Sequence, residues 1–134
     1  MDTVITQKIK QMFKDADGSL KVETLRGKVH KIIATEALIE TDMKNLNFEY
    51  RVFDIVYDLL RSNGGKAKKG KARIAFGERD CTVNTVAGAI AKNYYHKSVG
   101  EKATDLVFIV AAIMDKAGII YNKYGEIELT EEYR

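Results

Sequence analysis

Six basic residues stand in the thirteen positions from Arg61 to Arg73 (RSNGGKAKKGKAR): Arg61, Lys66, Lys68, Lys69, Lys71 and Arg73, with no acid among them. Cations at that density suit contact with phosphate oxygens, where each phosphate neutralised releases counterions and makes binding salt-dependent. Gly64, Gly65 and Gly70 predict a flexible loop able to follow a phosphate backbone. Lys92, Lys97 and Lys102, around a turn that holds Tyr95 and His96, extend the same character, and Lys123 adds a cation further on. The competing reading is a solvated loop that only keeps the chain soluble.

Other constellations lead to less. The glycines do not make a GxxxxGK[ST] phosphate loop, because no Ser or Thr follows a Gly-Lys pair and no strand leads in. Asp15-Ala-Asp17-Gly18-Ser19 opens like a calcium loop, but the positions that need glycine and glutamate hold Leu20 and Arg26, so it reads as a capped turn. His30 and His96 have no ligand at metal-binding spacing, and His30 is expected on a polar helix flank at the surface. Cys81 precedes an expected helix start, where a thiol pKa falls. Without a base beside it, it reads as a near-surface or half-buried thiol. As the only cysteine it rules out an internal disulfide and fits a reducing cytosol. These residues imply no cofactor, no metal and no enzymatic activity.

The charge is sorted along the chain. The basic run is +6 in a chain of net +3, so the rest carries −3, and Glu126, Glu128, Glu131 and Glu132 against Arg134 make the tail acidic. No apolar run reaches the length of a membrane span. The start, MDTVITQKIKQMF, lacks the apolar stretch of a signal peptide, so a cytoplasmic location is expected.

These residues need elements to hold them. The chain has no proline, so glycines and capping residues must supply the punctuation. Val4, Ile5, Ile9, Met12 and Phe13 predict a helix over Thr3–Lys14. Val22, Leu25, Val29, Ile32, Ile39, Met43 and Leu46 recur in steps of three and four once Glu36 is counted as the missing member. That heptad pattern predicts one helix from Leu20 to about Asn45. Its seam either packs on the chain's own helices or forms a dimer interface through Val22, Leu25, Val29, Ile32, Ile39 and Met43. Phe48–Leu60 reads as an amphipathic helix and Arg73–Phe76 as a brief strand. Thr82 caps a helix with an inner face of Val83, Val86, Ala87, Ile90 and Tyr94. Ala103–Ala117 is an apolar helix closed by Gly118, and Ile119–Asn122 with Glu126–Thr130 makes a hairpin.

From Tyr50 to Thr130 the order is thus helix, short strand, helix, turn, helix and two-stranded hairpin. It resembles the winged-helix variant of helix-turn-helix proteins. The expected fold is mainly α with a small β-hairpin: an N-terminal helical extension over 1–47 and a winged-helix-like domain over 48–134. The resemblance implies that Glu101–Ala117 enters a major groove and that Tyr121–Gly125 touches the backbone. Leu106–Met114 departs from that pattern, since base reading needs Arg, Asn, Gln or Lys and a helix apolar all round is buried. Either N-terminal helices or a second subunit cover it, or its first turn alone approaches DNA.

The function expected is a small DNA-binding protein resembling a transcription regulator. Its contacts would be Arg61, Lys66, Lys68, Lys69, Lys71, Arg73, Lys92, Lys97, Lys102 and Lys123. The other expectation is a non-enzymatic interaction module or inhibitor, for example phage- or defence-related, whose partner is another protein or a second copy of the chain.

Overall fold

The computed structural model describes residues 2–134. Among them are four α-helices and seven strands. In chain order these are α1 (Val4–Asp15), β1 (Ser19–Glu23), β2 (Val29–Ala34), β3 (Leu38–Thr41), β4 (Asn47–Glu49), α2 (Arg51–Ser62), β5 (Lys66–Lys68), α3 (Val86–Asn93), α4 (Val107–Lys116), β6 (Ile120–Asn122) and β7 (Glu126–Leu129). The strands make two antiparallel sheets, a meander β1-β2-β3-β4 and a smaller sheet in the order β5-β7-β6.

The fold is therefore mixed α and β and not mainly α. The long helix expected from Leu20 to Asn45 is the four-stranded meander instead. Gly27 (φ +83) and Asn45 (φ +63) turn the chain in left-handed conformations that a helix does not contain. Val29, Ile32 and Ile33 crowd β-branched side chains into β2, where a pleated surface accommodates them better than a helix. Burial follows a period of two, with His30 and Ile32 buried between exposed Val29, Lys31 and Ile33. The apparent heptad steps spread over separate strands and turns. Val22, Ile32 and Ile39 face the core, Leu25 and Met43 sit in connecting turns, and Val29 is 55% exposed. The six residues expected to form a dimer seam are thus divided among the core, two turns and the outer surface.

Ile5, Ile9 and Phe13, four residues apart, give α1 one buried stripe. Thr3 caps this helix by accepting from the Thr6 backbone N–H at 3.1 Å. The Asp54 carboxylate of α2 accepts from the hydroxyls of Thr3 (2.5 Å) and Thr6 (3.1 Å), which ties the two helices together. A single buried apolar cluster runs from Ile5 to Leu129 and draws on both sheets and all four helices. At its centre α4 buries Val107 and every residue from Ile109 to Met114. It ends at Gly118 (φ +77) with the paired bonds of a Schellman motif, Ile119 N–H to Met114 O and Gly118 N–H to Asp115 O, both 3.0 Å.

Three local expectations shift. The chain enters α2 later than expected, because Asn47–Glu49 pairs with β3. The third strand of the small sheet is Lys66–Lys68, and Arg73–Phe76 contributes only an isolated bridge from Ala75 to Lys102. Thr85, not Thr82, caps α3. Its Oγ1 accepts from the Gly88 N–H at 3.0 Å and donates to the Thr82 carbonyl at 2.8 Å. Thr85→Ala should therefore lower the urea midpoint by an amount equivalent to about 1–2 kcal/mol; an unchanged midpoint would show that the cap contributes nothing.

Candidate nucleic-acid interface

The glycine- and lysine-rich segment is held in place through its backbone. Lys69 N–H donates to Gly125 O (2.9 Å) in the β6–β7 turn, while its carbonyl accepts from Ala87 N–H (3.0 Å) at the start of α3. Further along, Lys71 N–H meets Asp80 O (2.6 Å) and Arg73 N–H meets Ala103 O (2.8 Å). Gly70 (φ +71) is needed for more than its dihedral, because a Cβ there would lie 2.6 Å from Asp80 O and 2.7 Å from the Thr85 side chain. The expected flexible loop is thus a tethered one, and the tethers decide where its cations go.

They go to a cleft of about 610 Å³ where three parts of the chain meet: the β1–β2 turn with Met43, the segment from Lys69 to Arg73, and the start of α4 beside the β6–β7 turn. Its walls carry Arg26, Lys28, Lys69 and Arg73 against one carboxylate, Asp105. Asp105 lies 3.6 Å from the Arg73 guanidinium. Among the described residues, Arg26, Lys28 and Lys69 have no ion-pair partner. Burial pushes the Lys69 ammonium below its ordinary pKa, opposed by the Asp115 carboxylate. Arg73 is held at φ +66, a left-handed conformation that a long L side chain adopts at a cost of about 1–2 kcal/mol. Cations left unpaired, half-desolvated or strained in one cleft are an arrangement an anionic ligand would relieve.

Deeper in the same cleft lie Phe108, His30 and Asn122. The His30 and Phe108 rings meet edge to face, centroids 6.0 Å apart. His30 is 9% exposed and not the surface residue expected; its Nδ1 sits 2.9 Å from Asp42 Oδ1. Its Nε2 and the Asn122 Oδ1 are buried without a hydrogen-bond partner. The Lys31 backbone N–H, donating to Asp42 at 2.9 Å, and then the His30 contact hold the Asp42 carboxyl below its ordinary range. A carboxyl depressed on folding adds stability above its unfolded pKa, and loses it as pH falls through the folded one. Asp42→Asn is accordingly expected to be less stable than the parent at neutral pH and to converge on it under acid. Urea unfolding across a pH series checks this, and a gap that stays constant into strong acid would contradict it.

Of the ten cations expected to contact nucleic acid, two line this cleft. Lys69 and Arg73 line the cleft, and Lys71 lies nearby in the chain, 3.8 Å from Asp80. Lys66 and Lys68 stand opposite Glu128 and Glu126 in the register of the small sheet, and neither makes an ion pair among the described residues. Lys123 donates to Glu128 at 2.6 Å, and that ammonium holds the glutamate below its ordinary pKa, while Arg134 bonds to the same carboxylate. The acidic tail therefore lies beside the sheet half of the basic run, although its ion pairs are with Lys123 and Arg134. Arg61 is used by Tyr57, whose hydroxyl accepts from it at 3.1 Å. Lys92 is exposed on α3, Lys97 is half-buried in the turn after it, and Lys102 is exposed at its bridge to Ala75.

Arg26, Lys28 and His30 are not among the expected contact residues, because the helical period over their segment predicts no turn there. The Arg-Gly-Lys triplet at 26–28, a turn-forming glycine between two cations, was the available signal. Cys81 is fully buried, not near the surface, and burial raises its pKa. No helix among the described residues is long and apolar enough to cross a membrane. No protein-family model matches the chain, and no curated protein or solved structure matches it either.

Proposed function

We propose that this protein binds nucleic acid, with phosphates held by Arg26, Lys28, Lys69 and Arg73 around the cleft. The observation that carries the reading is the cleft's charge, four cations to one carboxylate, three of the four without an ion-pair partner among the described residues. Its position supports the same reading. Residues 51–129 run α2, β5, α3, α4, β6, β7, the order expected of a winged-helix unit, and the cleft lies at the first turn of α4 and the hairpin turn. On this reading the unit contacts its ligand by that turn and hairpin, while the buried centre of α4 serves as core. Fluorescence anisotropy with labelled generic oligonucleotides tests it. Binding at about 50 mM salt should weaken linearly on a log-log plot as salt rises, and absence of binding at low salt would refute the proposal.

A second reading, a module that binds another protein, is favoured by a different surface. Val29, Ile33 and Leu38 are 55%, 42% and 36% exposed on the outer face of the meander. It requires self-association or a partner on that face, and sedimentation of a dilution-stable monomer that binds oligonucleotides would favour the first reading.

A further inference from the structure

We infer that the cleft takes one unstacked nucleotide of a single strand rather than the groove of a duplex; this rests on the nucleic-acid reading above. A helix that reads a major groove must lie in it with one face free. In α4 the residues from Ile109 to Met114 are all buried, and only Val107 and Phe108, with Asp105 just before the helix, border the cleft. The opening is also bridged. The Tyr124 hydroxyl, on the β6–β7 turn, donates to Leu25 O at 3.2 Å across from the β1–β2 turn, and both residues line the cleft. That bridge leaves a recess on the scale of a small-molecule pocket, of about 300–1,000 Å³.

The lining has the parts a single nucleotide requires. Phe108 and Tyr124 put aromatic side chains in the lining, and stacking on an aromatic ring is open to any base. His30 Nε2 and Asn122 Oδ1 are polar atoms with unmet hydrogen-bonding capacity, suited to a base edge once its entry displaces the side chains around them. Lys69 and Arg73, with Arg26 and Lys28 opposite, supply cations for the flanking phosphates. The strained Arg73 backbone adds an independent mark, since left-handed non-glycine residues that persist are concentrated at ligand sites.

The test compares a labelled twelve-nucleotide single strand with a twelve-base-pair duplex of the same sequence by anisotropy at low salt, using the whole protein. The strand is expected to bind about tenfold more tightly. Arg73→Gly and Asn122→Ala should each weaken strand binding at least fivefold. Arg73→Gly should keep or raise the thermal midpoint, because glycine suits φ +66, so lost binding cannot be put down to lost folding. A duplex bound as tightly as the strand, or more so, overturns the inference and leaves the nucleic-acid reading standing. A strand preference that both variants retain places the contact elsewhere and also overturns it. Failure of both ligands to bind removes the underlying reading as well.

Discussion

Gly88→Ala should destabilise the fold by about 3 kcal/mol or more. Gly88 is fully buried in the first turn of α3, and a Cβ on it would lie 1.8 Å from the Thr82 carbonyl oxygen and 2.3 Å from its carbon. Both are backbone atoms, so no side-chain rotation relieves the overlap. Helix propensity acts the other way, favouring alanine over glycine by about 1 kcal/mol. Overpacking against a yielding core costs about 1–3 kcal/mol, and a clash with backbone stands at or above the top of that range. In a domain stable by about 5–15 kcal/mol, separating α3 from the 81–85 turn would also release the Thr85 cap and the Ala87 bond to Lys69. Gly125→Ala is the control: nothing lies within 4 Å of its Cβ, and only the left-handed φ +78 opposes it. It should cost about 1–2 kcal/mol. Chemical denaturation of both variants checks the pair, and a Gly88→Ala protein as stable as Gly125→Ala would show that the packing there can yield.

The second large effect concerns the ligand. Replacing Arg26, Lys28, Lys69 and Arg73 together with Gln should lower nucleic-acid affinity on the order of 10³-fold, at about 1 kcal/mol for each solvent-exposed ion contact. The slope of log K against log salt should become shallower by about 3, since each single-strand phosphate contact accounts for about 0.7. Stability should change little, because Arg26, Lys28 and Arg73 are exposed and Lys69 is half-buried.

The parts of this fold legible in sequence are those whose signals are local. The stripe of Ile5, Ile9 and Phe13 marked α1, and Gly118 marked the end of α4. Ile127 and Leu129 alternating with glutamates marked the hairpin. The meander is not legible in this way, because its buried residues belong to different strands, and strand pairing is set by partners such as Ile39 and Phe48, which no helical period represents. The strand Lys-Ala-Lys at 66–68 has one small apolar residue and exists only because β7 lies beside it. Site residues were lost for related reasons. The basic run divides between a strand that lies beside the glutamates of β7 and a segment that lines the cleft, a division set by sheet pairing, and Arg26 and Lys28 come from a turn where the helical period predicts none.

The most direct measurement compares two sets of substitutions in one binding experiment. One protein carries Gln at Arg26, Lys28, Lys69 and Arg73, and the other carries Gln at Lys66, Lys68 and Lys123, which face the glutamates of the small sheet. Salt titrations with one labelled single strand should show the first set losing both affinity and slope. The second set should stay within about fivefold of the parent, because these lysines lie outside the cleft and beside the Glu126 and Glu128 carboxylates. The reverse order, with the sheet lysines carrying the binding and the cleft cations dispensable, would contradict the assignment of the cleft.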